Sequence, residues 1–223
     1  MGAIPGAREK LDRLGRALHA QLVELINDLT PGSDLRLLFL DEPSIVDWHE
    51  PLRYRYSTSS FNGELPANVG ATDIVSRAAA LLGSAGWEVA TSQENVGGRS
   101  WMVVTARRDG NSIEIRVGDH VPVVWFSGLT PAIALNEPEE FQWPEPVRTA
   151  ETVTPGYVLC YECDGLGWCP GCGGRRWVRD EARGRKNCGE CHRDGVCPIC
   201  RGAGELAISA LSPYQEGYYP ELG

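Results

Sequence analysis

From Ala7 to Leu29 the apolar residues Leu11, Leu14, Leu18, Leu22, Leu25, Ile26 and Leu29 recur at steps of three and four. That spacing puts them along one stripe and predicts an amphipathic helix, stopped by Pro31 and Gly32. The sustained heptads of a coiled coil need more length, so the stripe is expected to pack on its own domain. Beyond it the pattern changes. Leu35–Leu40 is a short apolar run that predicts a strand, and Arg53–Ser59 alternates well enough for another, with a turn-rich stretch carrying Trp48 and His49 between them. Ile74–Ser84 predicts a second helix, capped by Thr72 or Asp73 and closed at Gly86. Four β-rich runs follow, Trp87–Thr91, Ser100–Arg107, Ser112–Val117 and Val121–Ser127, separated by Gly97-Gly98, Asp109-Gly110 and Gly118-Asp119. Asp-Gly between two such runs is the strongest short-range hairpin signal.

Residues 1–130 therefore read as an α+β domain, an amino-terminal helix plus a helix-packed antiparallel β-meander. Trp101, Val103 and Trp125 fall at strand spacing and are expected in its core, whereas Arg107, Arg108 and Arg116 are expected on a solvated face. His19, His49 and His120 stand alone, without ligand-spaced partners. Residues 131–157 bring Pro131, Pro138, Pro144, Pro146 and Pro155 together with Glu137, Glu139, Glu140, Glu145 and Glu151, a composition that predicts a stiff, acidic linker. Phe141 and Trp143 within it could dock on either neighbour.

Composition narrows the function classes. A hydrophobic content of 42% is enough for a real core, and a formal charge of −9 argues against a protein that coats nucleic acid through its overall field. The start, MGAIPGAREK, shows no apolar leader, and Gly6 stands where a myristoylation motif needs Ser or Thr. No run of about 18 apolar residues exists, so the expectation is a cytoplasmic protein without a membrane span. There is no Gly-x-x-x-x-Gly-Lys loop, Gly-x-Ser-x-Gly elbow or His-Glu-x-x-His helix, and the adjacent carboxylates Asp41/Glu42 and Glu139/Glu140 are expected to be solvated.

All of the chemistry is concentrated near the carboxy terminus. The eight cysteines form four Cys-x-x-Cys pairs, Cys160/Cys163, Cys169/Cys172, Cys188/Cys191 and Cys197/Cys200. Each such knuckle aims two thiolates at one metal while nearby backbone N–H groups donate to the sulfurs, and two knuckles complete a closed tetrahedral site of the structural kind. Four pairs thus predict two zinc ions per chain, in a β-hairpin module over 158–206 followed by a tail, 207–223. Disulfides are the default only in secreted chains, and the paired repeat fits zinc better than an iron–sulfur cluster. Spacing alone leaves two pairings open: first pair with fourth and second with third, or first with second and third with fourth, since five residues span up to ~17 Å.

The segments CYECDGLG (Cys160–Gly167) and CPICRGAG (Cys197–Gly204) match Cys-x-x-Cys-x-Gly-x-Gly fully. CPGCGGRR keeps Gly174 but has Arg176 at the second glycine, and CGECHRDG has Arg193 at the first and keeps Gly195. This region resembles the cysteine-rich zinc-finger domain of DnaJ (Hsp40) co-chaperones. The resemblance covers roughly residues 158–206; there is no His-Pro-Asp tripeptide of a J domain and no Gly/Phe-rich segment. It implies the nested pairing, with Cys160, Cys163, Cys197 and Cys200 at one zinc and Cys169, Cys172, Cys188 and Cys191 at the other. The five-residue arms would then pair as strands of equal length. It also implies a habit of binding other polypeptides, including non-native ones.

Between the second and third pairs lie Arg175, Arg176, Arg179, Arg183, Arg185 and Lys186 with Trp177, against only Asp180 and Glu181. This basic patch reads either as a solvated hairpin tip balancing the negative zinc–thiolate cores or as a contact surface, for protein more than for nucleic acid. The function expected is therefore a non-catalytic zinc-binding protein that acts as an adaptor or in a chaperone-like way. The alternatives are a thiol–disulfide oxidoreductase, which requires a metal-free pair, and a nucleic-acid-binding regulator acting through 175–186.

Overall fold

The computed structural model describes residues 2–35, 38, 42–58, 61–118, 122–138 and 140–222. Most of the expected Leu35–Leu40 strand, with Asp41, Ser59, Asp119, His120, Val121 and Glu139, lies outside the described residues. The chain falls into two compact units, Met1–Pro138 and Glu139–Gly223.

In the first unit, helix α1 (Ala7–Leu29) buries Leu11, Leu18, Leu22, Leu25, Ile26 and Leu29 along the expected stripe. It ends where Thr30 turns back, its N–H and Oγ1 both donating to the Ile26 carbonyl at 2.9 and 3.0 Å, just before Pro31 removes the next donor. Strands β1 (Ser44–Asp47) and β2 (Arg53–Arg55) pair antiparallel. β3 (Phe61–Glu64) precedes helix α2 (Ala71–Ser84), and β4 (Glu88–Val96), β5 (Arg99–Arg108), β6 (Asn111–Gly118), β7 (Val123–Leu129) and β8 (Ile133–Ala134) follow. Five strands make one antiparallel sheet in the order β3-β7-β6-β5-β4, a meander with β3 added at its edge; β8 joins β2. Neither β1 nor β3 has the apolar alternation that would announce it. α2 starts at Ala71, three residues earlier than its apolar pattern, behind the N-cap Gly70, whose N–H is held at 3.1 Å by Asp73 Oδ2. Asp73 thus caps from inside the first turn instead of from the flank.

The two helices cover one sheet face, where Val104, Ala106, Ile113, Ile115, Val117, Val124 and Phe126 are buried. Gly128 permits this closeness: a β-carbon there would lie 2.9 and 3.0 Å from methyls of Leu22 and Leu18. A polar pair in this core is satisfied, Trp87 Nε1 donating to Gln21 Oε1 at 3.0 Å. On the other face Val103 and Trp101 are buried as expected, but Trp125 is 36% exposed. Its ring stacks on Trp101 with centroids 4.7 Å apart. Arg116 is held there by Glu94 and Glu114 at 3.1 and 2.6 Å.

The second unit has little regular structure. β9 (Tyr157–Leu159) pairs with β12 (Glu205–Ala207), and β10 (Trp177–Asp180) with β11 (Gly184–Asn187), with the four cysteine pairs between these two hairpins. The Pro/Glu-rich stretch 131–157 is divided between the units: Leu135 O accepts from Ile4 N–H at 2.9 Å in the first, while Arg148 N–H donates to Gly165 O at 3.1 Å in the second. Thr154 is tied to the second unit as well, its N–H and hydroxyl donating to Glu205 at 2.9 and 2.8 Å. Residues 207–222 include a short helix, α3 (Pro213–Glu216), capped reciprocally by Ser212 and Gln215. Beyond α3, Tyr219 Oη donates to Leu159 O at 2.6 Å and accepts from Tyr161 N–H at 3.0 Å. No helix among the described residues is long and apolar enough to cross a membrane.

Candidate metal centre

Each Cys-x-x-Cys pair sits in a turn of the same build. The two residues after the second cysteine take positive φ: Asp164 and Gly165 (46° and 81°), Gly173 and Gly174 (55° and 83°), His192 and Arg193 (48° and 80°), Arg201 and Gly202 (51° and 94°). A third left-handed residue stands two positions on, at Gly167, Arg176, Gly195 and Gly204. This succession curls N–H groups onto sulfur. Those of Gly167, Arg176 and Gly204 donate to Sγ of Cys163, Cys172 and Cys200 at 3.3, 3.3 and 3.2 Å, and that of Gly195 donates to Cys191. The glycines of the repeat are thus backbone requirements, and the arginines at two of those positions hold a conformation that L-residues avoid.

The knuckles then join in reciprocal pairs. Cys160 N–H donates to Gly204 O and Cys197 N–H to Gly167 O, both at 2.9 Å; Cys169 N–H donates to Gly195 O at 2.9 Å and Cys188 N–H to Arg176 O at 3.0 Å. The pairing is therefore nested, outer with outer and inner with inner. The arms Asp164–Trp168 and His192–Val196 do not form the strands expected of them. They meet only in the bridge between Trp168 and Val196, because the left-handed residues that build the knuckles cannot continue an extended ladder.

Two four-cysteine clusters result, Cys160, Cys163, Cys197 and Cys200, and Cys169, Cys172, Cys188 and Cys191, each with its four sulfurs within 4.8 Å of one another. Across the first, Cys160–Cys197 and Cys163–Cys200 are 3.9 and 3.6 Å apart; across the second, Cys169–Cys188 and Cys172–Cys191 are both 3.7 Å apart. A regular tetrahedron with metal–sulfur bonds of ~2.3 Å has sulfur–sulfur edges of ~3.8 Å. Disulfide sulfurs would lie at ~2.05 Å, and all eight cysteines are free. Each cluster could therefore bind one metal ion, with thiolates in a geometry that suits zinc.

Electrostatics within the clusters is divided. Burial pushes the Cys163, Cys169 and Cys172 thiols up, and Cys197 up to about 11. At Cys191 burial is outweighed by N–H groups of Gly195 and Arg193, which draw it down to about 7, and at Cys200 by those of Gly204 and Gly202. The donors that stabilise a thiolate here are also those that would stabilise a metal-bound one.

The basic insert is spread over both faces and the turn of one hairpin. Antiparallel register places Arg179 opposite Arg185 and Trp177 opposite Asn187 on one face of the β10–β11 hairpin, and Val178 opposite Lys186 on the other, where Val178 packs on the inner cluster. Lys186 pairs with Asp180 at 3.4 Å. Arg183 is exposed in the turn, and Arg176, also exposed, gives its backbone N–H to the knuckle. Arg175 is anchored by its Nε–H to Cys172 O at 3.1 Å, with its guanidinium carbon over the rings of Phe141 and Trp177 at 3.9 and 4.9 Å. Phe141 and Trp143 lie against Gly173, where a β-carbon would fall 2.5 and 3.0 Å from their rings. Their Phe-x-Trp spacing inside a Pro/Glu-rich stretch was the only sequence hint of this contact. Tyr219, which ties the chain end to Leu159 and Tyr161 on either side of Cys160, carried no hint at all.

No family model, no curated protein and no solved structure matches this chain. The DnaJ-type repeat is thus a local likeness of short cysteine motifs, and no family is assigned.

Proposed function

We propose that this protein is a non-catalytic, zinc-stabilised binding protein, in which two Cys₄ zinc sites brace the second unit so that it presents a surface to another polypeptide. The observation that carries this reading is the complete use of the cysteines. All eight are buried, each pair is matched by another, and four thiolates fill a tetrahedral zinc without an open position for substrate. Zinc held there would supply cross-links and no reaction step. The same closure counts against a thiol–disulfide oxidoreductase, which needs an accessible thiolate. The resemblance to DnaJ repeats favours non-native chains as one class of partner, and the net charge of −9 disfavours nucleic acid.

Native mass spectrometry of the reduced, purified chain tests this, combined with alkylation before and after chelation. Two zinc ions and no alkylated cysteine before chelation are expected, with up to eight alkylated afterwards. A pair that alkylates in the zinc-loaded protein would move the oxidoreductase reading to the front.

The two sites should not be equally strong. Arg193 holds φ 80° where the outer knuckles have glycine. A left-handed L-residue costs about 1–2 kcal/mol, against about 0.5–1 kcal/mol for the extra freedom of glycine in the unfolded chain. Arg193→Gly is therefore expected to tighten the inner site by about 0.5–1 kcal/mol, seen as a two- to five-fold higher chelator concentration for loss of one zinc. Loss at the wild-type concentration would show that the knuckle bears no such strain.

A further inference from the structure

The side chains around the inner cluster form a ladder of alternating rings and guanidinium planes. Trp143 meets Phe141 edge-on at 5.4 Å, the Arg175 guanidinium lies 3.9 Å from the Phe141 ring and 4.9 Å from Trp177, and Arg185 lies 3.8 Å from Trp177. We infer that this ladder is a docking site for an extended acidic peptide whose carboxylates stand at alternate positions, one for Arg175 and one for Arg185. The inference rests on the zinc-stabilised binding reading for its scaffold and names the partner chemistry.

The argument begins with preorganisation. A guanidinium free in water must be oriented before it can grip a carboxylate with two parallel hydrogen bonds, and the rotamer entropy lost weakens the contact. Here Arg175 is oriented in advance, its guanidinium carbon held over two rings and its Nε–H on Cys172 O. What remains for a ligand is the Nη end of the group, whose donors a carboxylate can match.

Spacing gives the second step. Both arginines are stacked on the same indole, so their guanidinium carbons are no more than about 9 Å apart, and same-side residues of an extended chain recur every ~7 Å. An acid-x-acid segment meets both, whereas adjacent acids point to opposite sides of the strand. Charge agrees: residues 175–186 carry six basic residues and two acidic ones in a chain of net charge −9. An acidic peptide needs only this local contact. A nucleic-acid strand is disfavoured by the net charge of −9, and two of the rings on which a base could stack already lie against Arg175.

The test uses the full chain with two zinc ions verified by native mass spectrometry on every sample. Fluorescence anisotropy is read for labelled Glu-Ser-Glu-Ser-Glu, for Glu-Glu-Glu-Ser-Ser of equal charge, and for a twelve-residue oligothymidylate. Saturable binding of the alternating peptide, about five-fold or more tighter than the blocked one, is expected. Arg175→Lys keeps the charge but loses the fork and stack, and should weaken binding about ten-fold or more; Arg185→Lys should act alike if the first variant loses metal. Arg183→Gln removes a charge off the ladder and should change binding less than about two-fold. Equal binding of the two peptides, equal effects of the Arg175 and Arg183 variants, or no binding with both zincs present would overturn the inference and leave the zinc reading standing. Tighter binding of the oligothymidylate would give the surface to nucleic acid. A wild-type chain that lacks two zincs would fail the scaffold itself.

Discussion

Chelating the metal under reducing conditions should abolish hydrogen-exchange protection across residues 158–207 and leave the first unit intact. The reason is where the buried surface lies. Among the described residues of the second unit, the buried apolar ones are the eight cysteines and Tyr219. The outer cluster is flanked only by partly buried Leu166, Ile199 and Leu206, and the inner one only by Val178. A set this small cannot offset the ordering entropy of some fifty residues, and the free energy of structural zinc binding supplies what the core lacks. The first unit instead has a core of nineteen buried residues built on α1, α2 and the sheet, with no cysteine among them.

The amides to watch are those of Cys160, Cys169, Cys188 and Cys197, which donate across the clusters to Gly204, Gly195, Arg176 and Gly167. They should exchange within seconds once metal is gone, while amides of β5 and β6 keep their protection. Protection that survives in 158–207 after both metals are lost would mean that the thiols pack as a core unaided, and the structural role of zinc would fall.

How much of this was visible in the chain depends on which physical rule was at work. Periodicity exposed α1 to the residue and the meander to within a few residues, because one face of each element is buried in a single core. β1 and β3 were hidden since edge strands of three or four residues owe their form to a neighbour's backbone, not to their own pattern. The cysteine clusters were legible because ligand spacing is a local property, and nesting came from the likeness of the repeats. Their arms were misread as strands because equal length was weighed and backbone handedness was not. The least legible contacts were those of Phe141, Arg148 and Tyr219, each of which joins its cluster from far along the chain.

Gly165 offers the sharpest test of whether residues 140–157 belong to the fabric of the second unit. Its φ is 81°, and a β-carbon built there would collide with the carbonyl oxygen of Arg148 and come within 3.2 Å of Leu159. Gly156 has nearly the same φ, 85°, but its β-carbon would meet nothing within 4 Å. Both Gly165→Ala and Gly156→Ala suffer the left-handed penalty of about 1–2 kcal/mol. Only the first must also push the 147–149 segment away, breaking the Arg148 N–H to Gly165 O bond and disturbing the Arg148–Glu205 pair at 3.2 Å, for a further ~1–3 kcal/mol. Thermal unfolding of the zinc-loaded second unit, followed by the fluorescence of Trp168 and Trp177 in a chain whose other tryptophans are replaced by phenylalanine, should therefore show Gly165→Ala as the more damaging by about 1–3 kcal/mol. Equal damage from the two substitutions would mean that the segment swings aside freely, and the acidic stretch would be a linker after all.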